Sequence, residues 1–123
     1  MGKGGARLAG KAERLRIYVR ESDRFEGEPL AGQIVRRARA AGLAGATVVR
    51  GFEGFGTDQR LHAATLVETE VDLPLIIEII DVAERIAAFL PELERVVAQG
   101  LLTLEDVRVV VGGRFADAGA SSD

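Results

Sequence analysis

The residues best suited to chemistry lie in one short polar stretch, Glu53-Gly54-Phe55-Gly56-Thr57-Asp58-Gln59-Arg60, with His62 close behind. Glycines let backbone amides approach an anion, and an arginine beside them can pair with phosphate or carboxylate. Gly54, Phe55, Gly56, Arg60 and His62 are therefore the candidate ligand-binding residues; a plain turn is the competing explanation of the same pattern. His62 is the only histidine. One imidazole makes no transition-metal site without partners, unless an oligomer gathers several copies on an axis. The chain has no cysteine, which excludes disulfides, thiolate metal sites and cysteine nucleophiles, and fits a reducing cytoplasm. No metal site is assigned.

A second cluster, Glu21, Asp23, Glu26 and Glu28, crowds one turn. Paired carboxylates can serve acid–base catalysis. Acids ahead of a helix are also what the helix dipole favours, and no nucleophile–base–orienter set accompanies them. No catalytic residue is assigned, and the chain reads as a non-enzyme. Asp81 and Glu84 have the spacing of a capping box.

These residues need a scaffold, and the pattern of apolar positions supplies it. Leu15, Ile17 and Val19 alternate with Arg14, Arg16, Tyr18 and Arg20, the period of a strand with one buried face. Leu30, Ile34, Ala38 and Ala41 recur at helical spacing after Pro29, and Gly42 stands where a helix-terminating glycine belongs. Strands are expected at Ala46–Phe52, Leu73–Ile80 and Val107–Val111, with weak strand character at Thr65–Thr69. A second helix carries Ile86, Phe89, Leu90, Leu93, Val96 and Val97 and is kinked at Pro91, with Gly100 after it. The order is βαββαβ, an α+β ferredoxin-like sandwich in which two helices cover one face of a four-stranded antiparallel sheet. Residues 1–12 and 112–123 read as flexible tails around a folded unit at 13–111.

At 123 residues the chain makes one domain. Its net charge of −3 and 5% aromatic content argue against nucleic-acid binding. No apolar run is long enough to insert in a membrane. The sheet face away from the helices is unusual. Leu75, Ile77 and Ile79 fill one side of their strand, yet Ile76 and Ile80 lie on the other with only Glu78 between them, and Val49 and Val110 can add to that side. A half-solvated sheet alternates more cleanly, so the second face is expected to be covered by self-association. Arg16 and Arg20 share it with Tyr18; pairing with acids of a neighbour such as Glu78, lining an axial channel, and plain surface charge on a partly exposed strand are all open readings of them.

Tyr18–Glu21, Asp23, Gly27, Pro29 and Leu30, the block Gly42-Leu43-Ala44-Gly45-Ala46-Thr47-Val48, Arg50-Gly51, Gly54-Phe55-Gly56, His62, Asp72-Leu73-Pro74, Ile77-Glu78 and Asp81 together resemble the PII-like proteins of domain-of-unknown-function family 190. The likeness spans residues 15–110. It implies a homotrimer that binds an effector, an adenine nucleotide or similar anion, at clefts between subunits, with no cofactor required; the location expected from the missing cysteines is cytoplasmic. It also implies a flexible loop at about 54–66 that acts on a transporter or enzyme target. PII proteins carry a glycine- and lysine-rich phosphate-binding loop after the second helix. Here Gly100–Asp106 has no lysine and two acids, so ATP binding does not carry over. The alternatives are a trimeric metal-binding or structural protein resembling divalent-cation-tolerance proteins and, less favoured, a small hydrolase.

Overall fold

The computed structural model describes residues 9–55, 62–63 and 72–112. Strand β1, Gly10–Arg20, buries Leu15, Ile17 and Val19, and its alternate residues Arg14, Arg16 and Tyr18 stay half-exposed on the opposite face. A tight hairpin follows, β2 (Arg24–Phe25) against β3 (Glu28–Pro29). Its two connecting residues, Glu26 and Gly27, both have positive φ, 52° and 82°, as a two-residue hairpin turn with the twist of its strands requires.

Helix α1, Leu30–Ala40, buries Leu30, Ile34 and Ala38, one residue per turn on a single stripe. Gly42 ends it at φ 81°, where Leu43 N donates to Ala38 O and Gly42 N to Arg39 O. These two bonds satisfy carbonyls that the last turn leaves open. Strands β4 (Thr47–Arg50), β5 (Glu53–Gly54), β6 (His62–Ala63) and β7 (Pro74–Asp81) come next. Helix α2, Ala83–Val96, buries Ile86, Phe89, Leu93 and Val96 and runs through Pro91, and β8, Leu101–Val109, is the last element of the described residues.

The main sheet has the order β4-β7-β1-β8 with every pairing antiparallel. Both helices pack on one side, where Leu15, Ile17, Ile34, Ile77, Ile79, Ile86 and Leu93 lose essentially all solvent contact. Each such side chain contributes about 1.5–3 kcal/mol of burial. Arg37 ties the layer together: it lies 5.7 Å from the Phe25 ring and 2.9 Å from Glu92 of α2. The expected ferredoxin-like α+β fold is the one observed.

Two local expectations change. The last strand begins at Leu101, not Val107, because Leu102 and Leu104 pair opposite Ile17 and Leu15 and extend the apolar face; Gly100–Asp106 is thus mostly strand rather than loop. Asp81 and Glu84 form no capping box: the residue capping α2 is Val82, and no side chain bonds there. Buried Asp81 instead accepts Ala44 N at 2.9 Å and Val82 N at 2.7 Å, fastening the turn after α1 to the end of β7. Glu78 pairs with Arg16 of its own chain. The expected strand at Thr65–Thr69 lies outside the described residues, as do most of both tails; β1 takes in Gly10–Ala12.

Candidate functional site

The segment between β4 and β7 leaves and rejoins the sheet at one place, and its glycines explain how. Gly51 N donates to Pro74 O at 2.7 Å. A methyl on Gly51 would sit 2.7 Å from Pro74 Cγ, and one on Gly54 would sit 3.2 Å away. The chain therefore wraps the Pro74 ring through two residues without side chains. Phe52 and Phe55, which follow these glycines, stand 71% and 65% exposed.

A second set of contacts ties this base to the corner after β1. Glu21 N donates to Leu73 O at 3.0 Å, and Leu73 N returns a 3.2 Å bond to Glu21 Oε1. The other oxygen, Glu21 Oε2, lies 2.8 Å from Arg50 Nε at the end of β4. Ser22 gives Asp72 two hydrogen bonds, from its amide at 2.9 Å and its hydroxyl at 2.8 Å. Arg20 lies 3.8 Å from both Asp72 and Asp23. One corner thus holds both ends of the segment.

The acidic turn has structural work to do. Glu21 bridges Leu73 and Arg50, the Asp23 carboxylate accepts Arg20 N while its backbone carbonyl accepts Leu30 N, and Glu26 and Glu28 belong to the hairpin. Among the described residues, no group of three potential ligands is placed to hold a metal ion.

Of the five candidate binding residues, Gly54 and His62 face each other across the β5–β6 ladder, with Glu53 opposite Ala63. Phe55 follows directly and is exposed. Gly56 and Arg60 lie outside the described residues. Arg50, Gly51 and Phe52 also stand at this loop base, though they are not among the five candidates; the run Arg50-Gly51-Phe52-Glu53-Gly54-Phe55 repeats a charged–Gly–Phe triplet. That repeat was the available signal.

The sheet face beside this base is organised in rows. Val49, Ile76, Tyr18 and Leu101 fall in register across all four strands, and the outer two are 49% and 58% exposed. The next row is Thr47, Glu78, Arg16 and Thr103, then Ile80, Arg14 and Glu105. Arg16 Nε donates to Glu78 Oε2 at 3.0 Å, Arg14 donates to Glu105, and weaker contacts of 3.9–4.0 Å cross-link the pairs. Two guanidiniums and two carboxylates thus cancel on the face itself. The hydrogen bond to Glu78 raises Arg16 above its ordinary value, and the hydrogen bond from Arg14 holds the Glu105 carboxyl below the usual carboxylate range. A depression of about 170 Å³ among Ala46, Ile80, Val109 and Val111 continues the apolar surface.

This helix-backed sheet, with one face uncovered and a glycine-wrapped loop base at its edge, has the architecture of the PII-like proteins. The chain belongs to the DUF190 family, described as an uncharacterized ACR, whose model matches residues 12–109. A UPF0166 protein of Aquifex aeolicus is 40% identical over 100 residues, covering 81% of this chain and 94% of that protein. CPII of Thiomonas intermedia K12, a nitrogen regulatory PII-like protein solved with ADP, AMP and bicarbonate, superposes with a TM-score of 0.59 at 19% identity, covering 90% of this chain and 97% of that one. CutA of Synechococcus elongatus PCC7942, complexed with Bis-Tris, gives 0.53 at 12% identity over 84% of each chain. At such identities the two structures establish the shared fold. No helix of the described residues is long and apolar enough to cross a membrane.

Proposed function

We propose that this protein is a trimeric PII-like regulator that binds a small anionic effector at the seams between subunits and acts on a partner through the segment at about 54–66. The observation carrying this reading is the uncovered sheet face: an apolar row crosses all four strands, and the charges beside it are already neutralised within the chain. Covering such a face with copies of itself removes apolar surface from water without stranding a charge. The loop base, with Gly54, Phe55 and His62, sits at the edge of that face. Gly54, Phe55, Gly56, Arg60 and His62 remain the proposed ligand contacts.

An adenine nucleotide with a short phosphate chain, or a small oxyanion, suits the chain better than a triphosphate. The stretch Gly100–Asp106 is a glycine leading into strand β8, without lysine, and offers no glycine-rich cradle for a polyphosphate. The activity is binding and relay, without turnover, in the cytoplasm. Calorimetric titration with AMP, ADP, ATP, cyclic dinucleotides and bicarbonate tests it. Saturable binding of at least one is expected, and no heat from any of them overturns the proposal.

The likeness to CutA favours a second reading, a trimer whose task is structural or metal-binding. Metal analysis of the purified protein separates the two: stoichiometric metal together with silence toward nucleotides and bicarbonate would favour that reading.

A further inference from the structure

We propose that Arg50 is an anion-reading arm whose resting partner is Glu21, and that an effector's oxyanion takes the guanidinium over and frees the start of the loop. The inference rests on the regulatory reading above and names the residue through which a bound anion would reach the loop. Arg50 is the last residue of β4, directly before Gly51 and the wrap around Pro74. Its side chain is 61% exposed, and it meets Glu21 Oε2 at 2.8 Å. An arginine so exposed can exchange one carboxylate for another oxyanion at little cost, because solvent screens the pair it leaves.

Glu21 divides its carboxylate between the two ends of the loop. Oε1 accepts Leu73 N, while Oε2 faces Arg50. The far end is further secured by Glu21 N on Leu73 O and by Ser22 on Asp72. Removing Arg50 from Oε2 therefore releases only the near end, next to exposed Phe52 and Phe55. The near end keeps the Gly51–Pro74 hydrogen bond as its pivot. An effector carboxylate or phosphate thus competes with an internal carboxylate; when it wins, the side-chain link between Glu21 and Arg50 is lost while the Gly51–Pro74 backbone bond holds. The chemistry recognised is an oxyanion, supplied either by a nucleotide phosphate or by a free small anion.

The competition predicts opposite signs for two substitutions. Glu21→Gln keeps an acceptor for Leu73 N but gives up the charge that holds Arg50. It should tighten AMP or bicarbonate about threefold or more, the scale of an exposed ion pair. Arg50→Gln should weaken the same ligand about tenfold, the scale of a lost charge-assisted hydrogen bond, and Arg50→Lys should recover part of that loss. In the double variant the gain from Glu21→Gln should vanish. Titration of the wild type and these variants with AMP, bicarbonate and uncharged adenosine decides the matter, with thermal melts confirming that each variant is folded. AMP responding without bicarbonate assigns the arm to a nucleotide phosphate, bicarbonate responding without AMP assigns it to a free anion, and adenosine should be indifferent to both substitutions. Ligand binding that is unchanged in Arg50→Gln, or weakened in Glu21→Gln, overturns the inference alone. Absence of binding of AMP and bicarbonate to the wild type overturns it together with oxyanion sensing.

Discussion

Arg16 Nε donates to Glu78 Oε2 at 3.0 Å across β1 and β7, on the sheet face that no helix covers. The neighbouring pair, Arg14 with Glu105, does the same across β1 and β8. A face prepared in this way differs from an ordinary charged surface. Its guanidiniums bring their counter-charges with them, so a second copy can approach without meeting unpaired ions.

Glu78→Gln would break that balance by leaving Arg16 without its acid. In the separate chain the change exposes nothing new to an apolar environment, so the melting temperature of a dissociated sample should barely move. In the proposed assembly it would strand a positive charge under a neighbouring copy, and the association constant should fall about tenfold or more. Dilution series followed by sedimentation velocity would read the difference. Unaltered association would place Glu78 outside the interface.

Glu105 gives the acid limb of stability its sign. Its carboxyl is held low in the folded chain by the hydrogen bond from Arg14. The stabilisation is therefore complete above the unfolded value of about 4.3 and disappears as pH falls through the lower folded value. Urea midpoints should decline as the solution is acidified below about pH 4, and Glu105→Gln should make that decline shallower. A steeper decline in the variant would contradict the assignment.

Gly51→Ala tests the wrap at the loop base. The added methyl would sit 2.7 Å from Pro74 Cγ and 3.3 Å from Pro74 O. The proline ring has little freedom to move away. A loss of about 1–3 kcal/mol is expected, the range for overpacking, measured by urea denaturation. The equivalent change at Gly54, where the closest approach is 3.2 Å, should cost less.

Asp81→Ala should be among the more damaging single changes. It removes the acceptor for Ala44 N and Val82 N, and the first of these amides is buried. The expected cost is about 2–3 kcal/mol in urea denaturation, since an unsatisfied buried donor alone costs about 1–3. Asp81→Asn, which retains a carbonyl oxygen, should recover part of it. Equal losses would mean that the charge, rather than the acceptor, fastens the turn.

The fold was legible because its apolar positions have clean periods. Leu15, Ile17 and Val19 mark one strand face, and Ile34, Ala38, Ile86, Phe89 and Leu93 mark helical stripes that the structure buries. Even the uncovered face showed itself through Ile76 and Ile80. The site was less legible because its contacts join residues far apart in sequence. Glu21 and Arg50, or Ser22 and Asp72, carry no local spacing that pairs them, and register alone brings them together. Asp81 misled for a related reason: its spacing to Glu84 fits a cap, while Ala44, 37 positions away, competes for the same carboxylate. The early start of β8 was obscured by Thr103, Glu105 and Asp106, polar residues that a solvent-facing edge strand tolerates.

Sedimentation equilibrium at micromolar concentration and neutral pH puts the central claim, that sister chains cover the bare sheet face, to its most direct test. The account predicts a species of three times 13.1 kDa that dissociates when a lysine replaces Ile76. A particle of 13.1 kDa at every concentration, or a trimer indifferent to Ile76→Lys, would contradict it.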